Sequence, residues 1–459
     1  MRLGWLLASR ARLACLLLLG LLATTGCGGL FIKDIATDAL DPNNLADTEP
    51  SIAVNPLNRR EIAIVTFSEN WSAAAGAPVW KSSDRGRTWR KVFQVTQPGA
   101  AAGPGDQKLD FDAEGRLHVA ELDFAVSDYV LRQTAVPDGL LAVGAAYGND
   151  QPHLTVDGYA SSPFKGRLYS PFLDFTVANP RSTVCWSTDR GVTVNCVGVG
   201  NNATFPNRTT RIAVAPSGKV YIVYKIREGL VAGTPFEDVH FTVQRSDDGG
   251  LTWTGLGPTG VSVHGAPQVQ TFFTTAFGNP AKGKVARARS SDAWIATDPT
   301  NGEVYVAYVQ RDSSGFGQIY LARSSDDGAT WTSTRVTDGT HHSAYPEVAV
   351  TKRGVVGVLY VDYDDTGLVT IFRHRFARSF NRGLTWSDRI LQNMNPGPLA
   401  NAASGFLWGD YEGLTAARNT FYGVFTGASD GRSTPQLDPI FFRQKSCRWW
   451  SLSCWFESE

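Results

Sequence analysis

"SSDDGATW", residues 324–331, decides how this chain folds, because it returns. "SSDRGRTW" stands at 82–89, "STDRGVTV" at 187–194, "SDDGGLTW" at 246–253 and "SFNRGLTW" at 379–386. Two of these five copies of S-x-D-x-G-x-T-W are imperfect. Self-similarity of this kind is the mark of a repeat architecture. The residue types give the local role. Asp326 is a short acceptor for backbone N–H groups ahead of it. Gly328 permits a positive φ. Thr330 and Trp331 restart a strand, and the indole is an apolar plug. Apolar and β-branched runs flank the copy, "GQIYLAR" before it and "TSTRVTD" after. Each copy therefore reads as a β-hairpin turn, with a structural role and not a catalytic one.

These strings resemble the Asp-box, the repeat of the sialidase-like (BNR) propeller families. The resemblance runs from about residue 49 to 443. It implies an all-β propeller whose boxes join the outer strands of each blade, away from any active site. Asp-boxes also occur in propellers that are not sialidases, so the resemblance speaks for fold more than for activity.

A second repeat counts the blades. "SIAVNPLNRREIAIVTF" from Ser51, "KLDFDAEGRLHVAEL" from Lys108, "HLTVDGYASSPFKGRLYSPFL" from His153 and "RIAVAPSGKVYIVYK" from Arg211 are the first four units. "WIATDPTNGEVYVAYV" from Trp294, "EVAVTKRGVVGVLYV" from Glu347 and "GLTAARNTFYGVFT" from Gly413 are the other three. Each is a small apolar strand, a turn and a second apolar strand. Seven four-stranded blades follow, against an alternative of six, the number in sialidases. The spacing agrees with seven. Ser82 to Ser187 is 105 residues, about two units, while Ser324 to Ser379 is 55. The second blade has therefore lost its box. The last blade lacks an outer strand, which "GLFIKDIAT" at 29–37 can supply, removing an open edge.

Forty-three basic residues balance forty-three acidic ones, which gives no electrostatic case for nucleic acid or an anionic membrane surface. The first 26 residues read as a targeting segment: "MRLGWLLASRAR", then "LACLLLLGLLA", then "TTGC". The segment resembles a bacterial lipoprotein signal. That implies lipidation of Cys27, a tether and closing strand over 27–48, the propeller over 49–443 and a Trp/Cys-rich tail over 444–459. Membrane contact is then through the lipid anchor, with the outer membrane as the expected site. Ordinary signal cleavage nearby is the other reading. Cys185 and Cys196 flank one box symmetrically, and Cys447 and Cys454 enclose "CRWWSLSC". In an oxidising compartment each pair reads as a disulfide, against four free thiols.

Acidic residues recur where inner strands begin, at the expected mouth of the channel: Glu49, Asp106, Asp150, Asp292, Glu347 and Asp410. The fourth blade offers Arg208 and Arg211 instead. Such a ring suits a sugar, an amine or a cation. The bland alternative is that these side chains tie neighbouring blades together. "FLWGDYEGL" at 406–414 adds Trp408, Tyr411 and Glu412. Sialidase-type enzymes pair a tyrosine nucleophile with a glutamate. Tyr411 and Glu412 are adjacent, so in a strand they face opposite ways, and Tyr411 would need a glutamate from another blade, such as Glu347. Asp410, Tyr411 and Glu347 are thus the catalytic candidates. The early F/Y-R-I-P motif of sialidases is absent. No metal-ligand spacing, Walker or dinucleotide motif occurs, so a monomer with no metal and no cofactor is expected. Three functions remain: a divergent glycoside hydrolase or lyase, a surface module that binds a glycan or protein, and an envelope scaffold.

Overall fold

The computed structural model describes residues 29–37, 40, 47–68, 77–95, 105–123, 128–136, 139–143, 149–177, 180–200, 207–230, 237–256, 293–313, 316–364, 371–394, 411–429 and 437–446. They form seven antiparallel sheets and no helix. Six sheets have four strands and one has five. In chain order the blades span 47–95, 105–143, 149–199, 207–255, 294–335, 342–394 and 413–445. They are called blades 1 to 7 below.

The fifth strand of blade 3 comes from a break. Its inner strand is split into Asn149–Asp150 and Thr155–Val156, and both pieces pair with Leu168–Asp174. Blade 2 keeps two outer strands, Asp128–Val136 and Gly139–Val143, where no box occurs. Blade 7 takes its outermost strand from the N-terminal side, where Leu30–Asp34 pairs with Leu437–Lys445.

The second strands of blades 4 and 5 are apolar on both faces because each sheet is covered on both sides. Val220 to Tyr224 and Val304 to Val309 are buried without a break. An alternating pattern would leave one face wet. The buried apolar side chains gather into seven clusters, one in each gap between adjacent blades. Ala53 and Val65 of blade 1 meet Leu109 and Val119 of blade 2. Ala120 meets Leu168 and Phe172 of blade 3, and Tyr169 meets Ile212 and Ile222 of blade 4. The series continues through Val223 with Val306, Tyr305 with Val358 and Phe376 with Phe421. It closes with Tyr422 and Phe441 of blade 7 against Ile64 and Trp80 of blade 1. The ring therefore has no free face.

The five box turns share one set of bonds. The serine Oγ accepts from the glycine N–H, at 2.8 Å for Ser324 and Gly328. The aspartate accepts from the threonine N–H and hydroxyl, at 2.9 and 2.6 Å for Asp326 and Thr330. In blades 1, 4 and 5 the tryptophan indole also donates to the glycine carbonyl, at 3.0 Å for Trp331, whereas blade 3 has Val194 there and the Trp386 indole of blade 6 makes no such bond. Asn381 replaces the aspartate in blade 6 and donates its amide to the Thr385 hydroxyl instead. Two successive residues have positive φ, as in Asp327 at 58° and Gly328 at 89°, the demand of a tight primed turn. Bonds from the Thr330 hydroxyl and N–H and from Ser324 hold the Asp326 carboxyl down to about 2. In blade 3, Cys185 and Cys196 stand directly opposite across the hairpin and are joined as a disulfide. Cys27, Cys447 and Cys454 lie outside the described residues.

Candidate functional site: the axial channel

Each inner strand carries one repeated pattern: a variable residue, an apolar residue, a small or polar residue, then a second residue that is apolar in six of the seven. The apolar positions are Ile52, Leu109, Leu154, Ile212, Ile295, Val348 and Leu414. They turn outward into the sheet gaps. Side chains alternate along a strand, so the residue before each of them faces the axis. Those residues are Ser51, Lys108, His153, Arg211, Trp294, Glu347 and Gly413. Two residues further on, Ala53, Ala213, Ala296 and Ala349 repeat on the same side, with Asp110, Thr155 and Thr415 in the other blades. The small second layer leaves a cavity of about 240 Å³ below the first. Lys108, His153, Trp294 and Glu347 line one end of it. The half-buried Thr155, Tyr159, Ala296 and Thr415 line the other.

A strained backbone sets up the first layer. Glu49, Asp106, Gln151 and Tyr345 have φ of 50°, 51°, 49° and 52°. Left-handed conformation costs a non-glycine residue about 1–3 kcal/mol and persists only where packing enforces it. In blades 1, 2 and 6 the residue lies inside a bulge, between Thr48 and Ser51, Gly105 and Lys108, and Ala344 and Glu347. A bulge re-aims the side chains that follow it. Here it turns Ser51, Lys108 and Glu347 onto the axis.

This register divides the expected acidic ring into two levels. Glu49 and Asp106 occupy the level above the first layer, and their counterparts in blades 3, 6 and 7 are Gln151, Tyr345 and Tyr411. Glu347 and Arg211 belong to the first layer, level with Lys108. Asp150 lies one residue before Gln151, paired in register with Leu173. Arg208 is placed by its backbone alone, opposite Lys225. Asp292, Trp408 and Asp410 lie outside the described residues.

Four aromatic and cationic side chains interlock at the centre. Lys108 Nζ sits 3.4 Å from the centroid of the Tyr411 ring and 4.7 Å from that of Trp294. The Arg211 guanidinium lies 4.7 Å from Trp294 and 5.5 Å from Tyr411. The Trp294 ring meets Tyr411 edge-on at 6.4 Å and His153 at 5.3 Å. Arg211 Nη2 donates to Gln151 Oε1 at 3.4 Å. Tyr411 Oη donates to Asp106 Oδ1 at 3.4 Å. Asp106 of blade 2 is thus a carboxylate that Tyr411 meets across the channel, from another blade as the strand pattern requires. Glu347 Oε2 accepts from the Leu414 N–H at 2.7 Å.

Burial governs the protonation of this group. It lowers the Lys108 amine to about 7, against the pull of Glu347, Glu49 and Asp106, with Arg211 adding to the drop. It raises the Glu347 carboxyl to about 8, against the nearby Lys108 cation. Burial thus pushes this carboxyl and this amine towards their neutral forms near neutrality. His153 is held well below its ordinary value by burial and by the cations Lys108 and Arg211. Asp110 rises to about 6 through burial, although the Val156 N–H bonds it at 2.9 Å.

Glu412 faces away from the channel, as its adjacency to Tyr411 requires. It meets His374 Nε2 at 3.1 Å and accepts the Thr426 N–H at 2.8 Å. Burial pushes the Glu412 carboxyl well up and His374 down to about 3. Burial thus disfavours the charged form of both partners in this contact. The contact anchors the residue next to Tyr411.

Lys108, His153, Trp294 and Gln151 were not singled out from the sequence. The signal was present in the column before the seven apolar residues, which reads S, K, H, R, W, E, G. It becomes visible only when the strands are aligned on that apolar position. Among the described residues, His, Cys, Asp and Glu form no group of three or more that could hold a metal ion.

No protein-family model and no curated protein matches the chain in sequence. Solved structures resemble it in fold. An ulvan lyase superposes with a TM-score of 0.55 at 10% identity, covering 86% of this chain and 93% of its own. That lyase is also known bound to -[GlcA(1-4)Rha3S]-. A second polysaccharide lyase gives 0.50 at 7% identity, covering 86% and 90%. A leech intramolecular trans-sialidase gives 0.43 at 12% identity, covering 78% and 70%. These neighbours act on glycans, and at such identities the likeness is one of fold.

Proposed function

We propose that the chain is a divergent, sialidase-like Asp-box enzyme that cleaves an acidic sugar from a glycan at the axial channel. The observation that carries this reading is the pairing of Glu347 and Lys108 in one cavity. Glu347 keeps its proton near neutrality and can give it to a leaving glycosidic oxygen. Lys108 sheds its proton there and can act as the base. The Arg211 guanidinium beside the cavity suits a sugar carboxylate. Trp294 lines the cavity and offers a face for sugar C–H groups. The cavity has room for one sugar ring, which suits attack at a chain end. The polysaccharide lyases similar in fold support a glycan as substrate.

The test is a panel of neutral and acidic glycans, followed by sugar release at neutral pH. Release from acidic glycans alone is expected, with Glu347→Gln losing about a hundredfold or more in kcat and Arg211→Gln losing mainly in KM. Equal release from neutral glycans, or full activity in Glu347→Gln, contradicts the reading. A second reading, a non-catalytic glycan- or protein-binding scaffold, draws on two ties between blades: Glu347 to Leu414 and Arg211 to Gln151. Binding without turnover by the same panel would favour it.

We also propose that Cys27 carries lipid and holds the propeller at the cell envelope. The motive is the signal ending in "TTGC". Cys27→Ser should release the protein from the membrane fraction. Continued sedimentation with membranes contradicts the anchor.

A further inference from the structure

The surroundings of Lys108 are those of a nucleophilic amine. Its Nζ lies against the faces of Tyr411 and Trp294, and among the described residues it meets no hydrogen-bond acceptor. Ring faces alone solvate a buried ammonium poorly compared with water. The same cavity holds a second reactive group. Glu347 Oε1 is buried with no hydrogen-bond partner, while the Leu414 N–H fixes the other oxygen and hence the orientation of the carboxyl. Arg211 lies on the Trp294 ring that Lys108 also touches. An amine and a proton donor thus line one cavity sized for a small molecule, with the Arg211 guanidinium behind it against the Trp294 ring.

We infer that Lys108 is a covalent site, forming a reversible imine with a small 2-oxo acid that enters the axial cavity. The Nζ lone pair adds to the carbonyl carbon, and the amine proton passes to the carbonyl oxygen, giving a carbinolamine. Glu347 then protonates that hydroxyl, the C–O bond breaks and water leaves. An iminium remains, paired with the Glu347 carboxylate. Returning the iminium N–H proton to Glu347 gives the neutral imine and restores the carboxyl. No oxidant or reductant takes part, and water reverses each step. The Arg211 guanidinium, buried against the Trp294 ring that lines the cavity, favours an anionic ligand through its nearby charge. Lowering of the amine towards neutrality by burial supplies the free base that the first step requires. The inference stands whether or not the protein cleaves glycans.

The test treats the full-length protein with glyoxylate and cyanoborohydride at neutral pH, then maps modified peptides by mass. Hydride reduces any iminium to a stable carboxymethyl-lysine. Lys165 and Lys352 are exposed and serve as internal references. Lys108 is expected to be modified several-fold faster than either, with saturation in glyoxylate. Glu347→Gln should slow modification at Lys108 alone, leaving the references unchanged. An unmodified Lys108, or one modified no faster than Lys165 and Lys352, overturns the proposal. An unchanged rate in a folded Glu347→Gln overturns the role of Glu347. Glycan turnover is not the readout, so failure here and failure of the glycan reading are distinguishable.

Discussion

At the residue scale the chemistry rests on Glu347, whose folded pKa of about 8 lies above its ordinary value of 4.5. The sign follows from linkage. The folded state binds the proton more tightly than the unfolded chain, so this group's stability contribution is full below about pH 4.5. It is lost progressively as pH rises towards 8. Lys108 acts in the opposite sense and higher up. Its lowered pKa makes folding less favourable as pH falls from 10.5 towards 7. Glu347→Gln removes the first effect and also takes away the charge that holds the Lys108 amine up, which acts in the same direction. The melting temperature of the variant relative to wild type should therefore rise between pH 5 and pH 7, by an amount on the order of 3 kcal/mol in stability. A pH-independent difference between the two melting curves would show that Glu347 is ionised in the folded protein.

At the element scale the box turn is a device for docking one blade on the next. Gly86 has φ of 83°, and a Cβ there would collide with the ring of Phe441 in blade 7. That ring already meets Trp89 edge-on at 5.2 Å. Gly166 has nearly the same φ, 84°, with open space around it. The pair separates two costs. Gly166→Ala should lose about 1 kcal/mol from backbone strain alone. Gly86→Ala should lose about 2–4 kcal/mol, because overpacking of the blade contact is added. Chemical denaturation of both variants measures the difference, and equal losses would mean that the blade contact yields freely. The turns themselves were legible in the sequence. Ser, Asp, Gly and Thr bond within eight residues, and such local chemistry needs no information from elsewhere in the chain.

At the scale of the whole molecule the ring is closed by pairing of its two ends. Leu30–Asp34 covers the edge of Leu437–Lys445, and Phe31 meets Phe441 at 6.2 Å. Ile35 and Ala36 continue into the cluster between blades 7 and 1. Deleting residues 29–36 leaves an unpaired strand edge and an open apolar gap, both of which invite association. Light scattering should show aggregates that the intact protein does not form, together with a lower melting temperature. A monodisperse deletion variant with unchanged melting would mean that the last blade closes without its N-terminal strand.

The sequence by itself determined the all-β class, the box turns, the number of inner hairpins and the use of residues 29–37 to close the ring. Each of these depends on patterns repeated within a few tens of residues. It also placed Tyr411 and Glu412 on opposite faces, through the period of a strand. The tertiary structure decided which acidic residues share a level. A bulge shifts register by one residue and changes the face a side chain occupies, and no composition rule reports it. It also decided partners. Tyr411 meets Asp106, which lies 305 residues earlier in the chain, and Lys108 lies between aromatic rings from blades 5 and 7. Only closure of the ring brings such groups together, and the same closure removes the water that would otherwise hold Lys108 and Glu347 at their ordinary pKa values.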